Sequence, residues 1–318
     1  MITLDDIRAA RARLTGIAVR TPLIPFHHGG RTLYLKPENL QPVGAFKIRG
    51  AYNKIASLSG EERAAGVISY SSGNHAQGVA YAARALHIHA VIVMPETVPS
   101  VKRDATAALG AEIVYAGTTG VERQVKAEEL AAEHGYVMIP PYEDEKIIAG
   151  QGTAGLEILE DLPEVDLVLV PVGGGGLISG ISVAIKSLNP GAKVIGVEPE
   201  VAADAQASLR TGTIVEIPPA QAISTIADGL RAIHVGRLTF EHIRVYVDDI
   251  VTVTEEEIRR AVRILAENPK TTPEPSGAVT TAAWLFHRET LPPSRATVAV
   301  ISGGNIEPAL LNQIRAGG

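Results

Sequence analysis

A run of four glycines is the first feature of the sequence that indicates ligand chemistry. Gly173, Gly174, Gly175 and Gly176 follow a strand-like apolar run and precede a helical stretch at 177–188. Glycines let the backbone approach a ligand closely, and a helix N terminus offers free N–H groups and partial positive charge. The spacing does not match the G-x-G-x-x-G fingerprint, and no G-K-[ST] follows, which argues against NAD and ATP. We expect a phosphate cradle for another cofactor, with a flexible turn as the alternative.

A lysine in a glycine-bounded run is a candidate for covalent chemistry with a carbonyl cofactor. Lys47 lies in the run GAFKIRG at 44–50. A Schiff base requires an amine whose pKa is lowered by apolar surroundings. Phe46 and Ile48 can supply those surroundings, and Phe46 can also pack on an aromatic ring. Taken alone, however, the run favours an ordinary surface lysine.

A third loop carries short polar side chains between a strand and a helix. Ser71, Ser72, Asn74 and His75 lie in the run SSGNHAQG at 71–78. Hydroxyl and amide groups beside the open N–H groups of a helix start suit a carboxylate. The alternative is that Ser72 or Asn74 merely caps the helix and His75 occupies its first turn.

The elements that must position these loops alternate between strand and helix, which indicates parallel sheet with crossover helices. Strands are expected at 67–69, 90–94, 112–115, 167–171, 193–197 and 297–301. Helices are expected at 76–86, 101–109, 124–134, 177–188, 258–267 and 278–287. The run ISGGN at 301–305 closes the last strand at its carboxyl end, where ligands of parallel sheets bind. A plain strand-to-glycine turn is the alternative there.

Composition limits the class of protein. The chain has 318 residues, 46% of them hydrophobic and 4% aromatic, which predicts one large or two packed domains with an aliphatic core. A formal net charge of −6 without a cluster of Lys and Arg argues against nucleic-acid binding. The absence of cysteine excludes disulfides, thiolate metal sites and a cysteine nucleophile. The start resembles a capped helix rather than a signal peptide, and no stretch could span a membrane, so we expect a cytoplasmic protein.

Two breaks in the pattern divide the chain. One lies at the proline pair 140–141, where a strand ends before a charged run, and a weaker one lies near 57–62. They predict a small mobile α/β domain of residues 59–144 inserted into a large domain of residues 1–58 and 145–318. A cleft between two such domains is a natural site for small-molecule chemistry.

In this order, the four loops resemble the fold type II pyridoxal-phosphate (PLP) enzymes, specifically the serine/threonine dehydratase and serine racemase family. The resemblance covers nearly the whole chain, from RTPL at 20–23 to SGGN at 302–305. It implies an α/β fold of the tryptophan synthase β type, with two open, parallel-type sheets and helices on both faces. It also implies a homodimer.

The resemblance assigns a role to each loop. Lys47 would hold PLP as a Schiff base, with Phe46 against the pyridine ring. Asn74 would bond the phenolic oxygen, and Ser302 would face the pyridine nitrogen and leave it unprotonated, which favours loss of a β-leaving group. The phosphate would be held by Gly173, Gly174, Gly175 and Gly176. The substrate carboxylate would be received by Ser71, Ser72, Asn74 and His75.

The implied reaction is dehydration of a hydroxy-amino acid such as L-serine, L-threonine or 3-hydroxyaspartate to a 2-keto acid and ammonia. Lys47 would remove the α-proton as a general base. Ser72 on the opposite face could return a proton, so a serine or aspartate racemase is an alternative. A β-replacement synthase is another, although such enzymes typically carry Asp-Arg after the lysine, where this chain has Ile48-Arg49-Gly50. A ligand-binding module without chemistry is the non-enzymatic alternative.

Two further features match the racemase-like branch. Glu198, Asp204 and the carbonyl of Ala202 would hold a divalent cation, and oxygen ligands suit Mg²⁺ or Ca²⁺, with Mn²⁺ as a further candidate. Without the resemblance these two acids are a solvated loop. Arg123 would reach the substrate carboxylate when the small domain closes, and a surface position on its helix is the alternative.

The chain also departs from the family pattern. Ala45 stands where relatives usually have a serine, and Pro273 interrupts what is usually an apolar strand, since proline cannot donate to a ladder. We therefore expect altered specificity at that wall of the site. The sequence ends at Gly318, so we expect no C-terminal amino-acid-sensing domain. The physiological substrate and activation by nucleotides stay open.

Overall fold

The computed structural model describes residues 1–317, which form helices around two sheets; the expected domain end at residue 318 lies outside them. The strands are β1 (Ile24–His28), β2 (Arg31–Pro37), β3 (Val67–Tyr70), β4 (Ala90–Met94), β5 (Glu112–Tyr115), β6 (Val137–Met138), β7 (Leu167–Pro171), β8 (Lys193–Pro199), β9 (Asp249–Val253) and β10 (Thr297–Ile301). The α-helices are α1 (Leu4–Leu14), α2 (Lys47–Ala56), α3 (Gly60–Ala65), α4 (Asn74–Ala85), α5 (Ser100–Ala107), α6 (Gly120–His134), α7 (Glu145–Asp161), α8 (Gly176–Leu188), α9 (Asp204–Thr211), α10 (Pro219–Ala222), α11 (Arg237–Tyr246), α12 (Glu255–Leu265), α13 (Pro275–Phe286) and α14 (Pro308–Arg315). Short 3₁₀ segments cover Glu38–Leu40, Glu200–Ala202, Asp228–Leu230 and Pro269–Thr271.

The larger sheet has six strands in the order β1-β2-β10-β7-β8-β9. Only the β1–β2 pair is antiparallel; the other pairs of this described sheet are parallel. Every residue of β7 and β10 is buried, because helices cover both faces of the sheet. The carboxyl ends of β10, β7 and β8 lie side by side, which brings Ser302, Gly173 and Glu198 to one edge.

The smaller sheet has four parallel strands in the order β5-β4-β3-β6. The chain enters and leaves the region of this sheet at one place. The Lys54 Nζ lies 2.7 Å from the Asp144 carboxylate, and the Asn53 side chain donates to the Lys146 carbonyl at 2.7 Å. The two-sheet α/β class expected from the sequence is confirmed.

Helix α2, which begins at Lys47, lies between the two sheets. It packs against α4 on one side and α7 on the other. A β-carbon on Gly78 of α4 would lie 3.2 Å from the carbonyl carbon of Lys47, and one on Gly150 of α7 would lie 2.5 Å from the Arg49 carbonyl oxygen. Glycine at both crossings therefore permits the close approach that fixes the position of α2.

A buried ionic cluster anchors α2 to the larger sheet. Both Glu38 and Glu157 bond the Arg49 guanidinium through two oxygens at 2.7–2.8 Å, and Lys36 bonds Glu157 at 2.5 Å. Burial alone would lower the pKa of Arg49, but the two carboxylates together raise it. The positive charges of Lys36 and Arg49 equal in number the negative charges of Glu38 and Glu157, so no charge in the cluster is left unpaired.

No helix within residues 1–317 has the length and apolar character needed to cross a membrane.

Candidate active site

The Lys47 amine occupies the centre of the candidate site. Lys47 is the first residue of α2, and its Nζ donates to the Pro141 carbonyl oxygen at 2.7 Å. The Phe46 ring centroid lies 5.1 Å from Nζ. Burial lowers the pKa of Lys47 to about 8, because the charged form loses hydration there. The structure thus gives Lys47 the apolar surroundings expected from the sequence.

The turn before Lys47 is held by the segment that follows β10. The Phe46 N–H donates to the Ser302 carbonyl at 3.0 Å, and the Gly304 N–H donates to the Gly44 carbonyl at 2.9 Å. The Ser302 side chain is buried, with Oγ 3.4 Å from the Ser276 carbonyl oxygen. Lys47 and Ser302, 255 residues apart in numbering, therefore belong to one local structure.

The glycine loop (residues 173–176) connects β7 to α8. Gly175 has a φ of +90°, which favours glycine, and it occupies the N-cap position of α8. A β-carbon on Gly173 would lie 3.1 Å from the Gly229 carbonyl oxygen, and one on Gly174 would overlap the Tyr142 ring. No side chain among the described residues caps α8. Its first N–H groups are therefore free for an anion, as a phosphate cradle requires.

Pro141 and Tyr142 join the glycine loop to Lys47. The carbonyl of Pro141 accepts the hydrogen bond from Lys47, and the next residue, Tyr142, packs against Gly174. Burial raises the pKa of Tyr142 to about 12, so its hydroxyl stays protonated. Two consecutive residues therefore connect the Lys47 amine to the glycine loop.

The 71–78 loop starts α4 without a side-chain cap. The N-cap residue is Gly73, and within the described chain neither Ser72 nor Asn74 caps the helix. The Ser71 hydroxyl accepts from the Gly73 N–H at 3.3 Å. The alternative in which this loop serves only as a cap is therefore not what the structure shows, and the N–H groups at the start of α4 are open.

His75 is a buried, neutral residue beside Lys47. Its Nε2 lies 3.0 Å from the Ile139 carbonyl oxygen, so this nitrogen carries the proton and donates. Burial and the positive charge of Lys47 lower the pKa of His75 to about 3. The neutral imidazole cannot supply positive charge to a carboxylate. His75 could therefore contact a carboxylate only through its backbone N–H.

Asn74 lies in a network that the sequence reasoning missed. Its Nδ2 donates to a Glu274 carboxylate oxygen at 2.7 Å, and its Oδ1 accepts from the Asn305 side chain at 2.8 Å. Glu274 is 4% exposed, and burial together with the Asp228 charge raises its pKa to about 7. The sequence feature that could have pointed to Glu274 is an acidic residue directly before Pro275, at the start of α13.

Arg123 lies in the first turn of α6, which packs on β3 and β4 of the smaller sheet. Its Nε is buried and has no hydrogen-bond partner in the described chain, and burial lowers the pKa of the guanidinium. The residue is partly buried rather than a freely solvated surface arginine.

Two buried carboxylates lie at the carboxyl end of β8. Glu198 accepts from the Ala205 and Gln206 N–H groups at 3.0 and 2.8 Å, while both Asp204 oxygens lack a partner among residues 1–317. Burial, and then the charge of Asp204, raises the pKa of Glu198, and burial raises that of Asp204 to about 7. Unpartnered carboxylate oxygens, two residues after the buried Ala202, fit a hard divalent cation. Among residues 1–317, no three His, Cys, Asp or Glu side chains are placed to hold a metal ion together, so a cation here would need further oxygen ligands such as a backbone carbonyl.

A buried lysine of low pKa beside a glycine phosphate cradle, at the carboxyl edge of a parallel sheet, defines a PLP-dependent enzyme. The chain belongs to the family described as "Pyridoxal-phosphate dependent enzyme", whose profile matches residues 14–303. This confirms the resemblance expected from the motifs.

Individual relatives agree with this assignment. The chain is 48% identical to the L-threonine ammonia-lyase of Thermotoga maritima, over 99% of this chain and 78% of that protein. It is 43% identical to the L-threo-3-hydroxyaspartate ammonia-lyase of Saccharomyces cerevisiae, over 96% and 94% of the two chains. The structure of maize serine racemase superposes with a TM-score of 0.93 at 37% identity, over 99% and 97% of the chains.

Proposed function

We propose that the protein is a PLP-dependent ammonia-lyase that dehydrates a small hydroxy-amino acid to a 2-keto acid and ammonia. The observation that carries the proposal is the Lys47 amine, whose pKa burial lowers to about 8, next to the glycine loop. Similarity to a threonine and a 3-hydroxyaspartate ammonia-lyase supports this substrate class, with L-serine as a third candidate.

The residues around Lys47 fit PLP. When bound, PLP withdraws electrons from the α-carbon of an attached amino acid and makes its α-proton acidic. Lys47 would bond the cofactor covalently, Phe46 would pack on its ring, and Asn74 would bond its phenolic oxygen. Ser302 would bond the pyridine nitrogen, for which its buried, weakly bonded hydroxyl is suited. Gly173, Gly174, Gly175 and Gly176 would hold the phosphate.

Lys47 Nζ is the group that moves the α-proton. A lysine with a pKa near 8 is partly neutral at physiological pH, so it can accept a proton. The Pro141 carbonyl orients the amine, and the neutral imidazole of His75 adds no charge to the site.

The start of α4 receives the substrate carboxylate. Its open N–H groups and positive dipole end favour an anion. The residues are Ser71, Ser72, Asn74 and His75, the last through its backbone. Arg123 adds a positive charge from the smaller sheet, and its unpartnered Nε supports this role.

Racemisation is the second candidate activity, supported by the similarity to maize serine racemase. In this reaction the Ser72 hydroxyl delivers a proton to the face opposite Lys47. Aspartate is the alternative substrate for that activity. A β-replacement reaction has less support, because Ile48-Arg49-Gly50 follows the lysine.

Glu198, Asp204 and the Ala202 carbonyl bind a divalent cation, Mg²⁺, Ca²⁺ or Mn²⁺, in this proposal. Residues 59–144 act as a small domain that closes over the substrate, and the contacts of Lys54 and Asn53 with residues 144 and 146 support its separate attachment. The protein acts as a cytoplasmic homodimer and binds neither nucleic acid nor membrane.

Borohydride trapping tests the role of Lys47. Purified protein loaded with PLP and reduced should carry the cofactor on the peptide containing Lys47. Lys47→Ala should abolish the adduct, while Lys54→Ala, on the same helix, should retain it. An adduct that persists in Lys47→Ala would exclude the proposal. Keto-acid release from L-serine, L-threonine and both 3-hydroxyaspartate diastereomers, with D-serine formation measured in parallel, then separates lyase from racemase.

A further inference from the structure

The orientation of one side-chain amide can be derived from its neighbours alone. Asn305 donates from Nδ2 to the Val43 backbone carbonyl at 2.9 Å. A carbonyl oxygen can only accept, so Nδ2 rather than Oδ1 must face it. Asn305 is also packed against Gly44, where a β-carbon would lie 3.0 Å from its side-chain Cγ. The Asn305 amide is therefore held in one orientation.

Asn305 in turn fixes the orientation of Asn74. The second N–H of the Asn305 amide meets Asn74 at 2.8 Å and requires an acceptor, which must be Oδ1 of Asn74. The Nδ2 of Asn74 then faces Glu274 at 2.7 Å. A carboxyl oxygen accepts this bond whether or not the acid is protonated, because Asn74 Nδ2 can only donate.

Glu274 is itself rigidly held. It is 4% exposed, and its backbone N–H donates to the Gly303 carbonyl at 3.0 Å. A β-carbon on Gly303 would lie 2.6 Å from the Glu274 Oε1 and 3.1 Å from the Asn74 Nδ2. The glycine therefore makes room for this hydrogen bond, directly after the residue that faces the proposed cofactor ring.

We propose that Glu274 and Asn305 are positioning residues that lock the amide of Asn74, so that its one remaining N–H is presented to the phenolic oxygen of the cofactor. The inference rests on the proposed function, in which Asn74 contacts that oxygen. A locked donor requires an acceptor, so the network selects the deprotonated, anionic form of the phenolic oxygen. Loss of either lock lets the amide turn and present its oxygen instead, which repels the anion.

The test uses holoenzyme and two nearly isosteric variants. Asn305→Asp replaces the donor with a carboxylate that cannot donate to Val43 or Asn74, at an exposed position that leaves the core intact. Glu274→Gln keeps an acceptor oxygen in place. Glu274→Met removes it.

The expected readout is the absorption of the bound cofactor and its affinity. Asn305→Asp and Glu274→Met should shift absorption from the long-wavelength to the short-wavelength band and weaken PLP binding about tenfold, the size of one lost hydrogen bond. Glu274→Gln should keep the wild-type band. Urea unfolding of the apo forms checks that the fold is retained, and if Glu274→Met does not fold, Asn305→Asp carries the test.

The outcomes separate the two proposals. Wild-type bands in Asn305→Asp, with the borohydride adduct lost on Lys47→Ala, would overturn the locking role and leave the proposed function standing. A borohydride adduct that survives Lys47→Ala would overturn the proposed function itself.

Discussion

The hydrogen-bond partner of the Lys47 amine decides its protonation. Nζ bonds a neutral backbone carbonyl, that of Pro141. A carboxylate in that place would stabilise the ammonium and raise its pKa, whereas a carbonyl leaves the cost of burial largely unopposed. The pKa of about 8 follows, and with it an amine that can both attack a carbonyl group and accept a proton.

This pKa predicts the pH dependence of cofactor uptake. Only the neutral amine attacks PLP, so the rate of uptake by apo protein should rise about tenfold per pH unit below pH 8 and level off above it. An ordinary lysine would level off near pH 10.4. Stopped-flow absorption measures the rate, and Lys54→Ala should match the wild type. A plateau near pH 10 would contradict the lowered pKa.

The buried ionic cluster predicts a large loss of stability on truncation. Arg49→Met leaves Glu38 and Glu157 with Lys36 as their remaining cation, so it should lower the free energy of unfolding by about 3–5 kcal/mol. Arg8→Met, which breaks an exposed pair with Asp5, should cost less than about 1 kcal/mol. Urea unfolding of both variants measures the difference. Similar values for the two would show that the cluster contributes no more than a surface pair.

The proposed cation site predicts a stabilisation by metal. At about one hundred times the dissociation constant, a cation stabilises by about 2.7 kcal/mol, which should raise the melting temperature by roughly 4–8 °C over chelator-treated protein. Asp204→Asn should remove this response, and Glu200→Gln, an exposed acid between the proposed ligands, should retain it. An equal response in Asp204→Asn would eliminate the site.

Individual site residues differed in how readily the sequence predicted them. Lys47, Asn74, Ser302 and the glycines lie in local runs whose composition is unusual by itself. Glu274 lies 200 residues from Asn74, and its burial follows from tertiary packing that no local pattern encodes. The open start of α4 was also ambiguous, because Ser72 and Asn74 are good capping residues; the structure places Gly73 at the cap.

At the scale of elements, all six predicted strands are present. Four of them, β4, β5, β7 and β10, have the predicted bounds, and β3 and β8 extend beyond theirs. These strands are continuous apolar runs, as expected where both faces are covered. The strands β1, β2 and β9 were missed, because polar or exposed residues interrupt their apolar runs, and the two-residue β6 was expected only as a strand end before the proline pair 140–141.

Helices α2 and α7 were missed for another reason. Both contain glycines at their crossings, which lower helix propensity, and α7 is buried along most of its length, so no polar face marks its period. Predicted helices began two to four residues late where glycine, proline or polar residues form the first turn, as in α4, α6 and α13. Tertiary packing overrides propensity at these places.

The glycine loop predicts a cofactor-specific effect of a single methyl group. Gly175 and Gly212 both have positive φ, +90° and +75°, so the backbone strain of alanine alone should cost about 1 kcal/mol of stability at either position. Only Gly175 is crowded: a β-carbon there would lie 2.8 Å from the Thr239 Oγ1, whereas one on Gly212 would have nothing within 4 Å. Gly175→Ala should therefore weaken PLP binding at least tenfold and Gly212→Ala should leave it unchanged, as measured by fluorescence titration. Equal affinities would argue against a phosphate cradle.

In the molecule as a whole, an ion pair connects an element beside the smaller sheet to one beside the larger sheet. Lys102 on α5, beside the smaller sheet, lies 2.7 Å from Asp228, whose 3₁₀ segment packs on α13. The side chains are 22% and 40% exposed, so the pair contributes little to static stability. If residues 59–144 form the proposed small domain, this pair links that domain to the larger one.

This pair predicts a salt-sensitive effect on substrate binding. Lys102→Met should raise KM roughly two- to fivefold, equivalent to about 0.4–1 kcal/mol, while the melting temperature stays unchanged. Lys126→Met, which breaks a pair with Glu129 inside α6, should leave KM unaltered. High salt should raise the wild-type KM toward the Lys102→Met value. A KM indifferent to both changes would show that the pair does not assist closure.

The chain enters and leaves the region of the smaller sheet at one place, and this has a consequence for how the gene can recombine. Lys54 and Asp144 are in contact, so the segment between them is joined to the rest by two neighbouring junctions. Recombination between related genes at these junctions would exchange the whole segment, and with it Pro141 and Tyr142, which contact Lys47 and Gly174. The proposed substrate contacts of the 71–78 loop and Arg123 would therefore be inherited together with these partners of Lys47 and the glycine loop, so an exchanged segment must fit both.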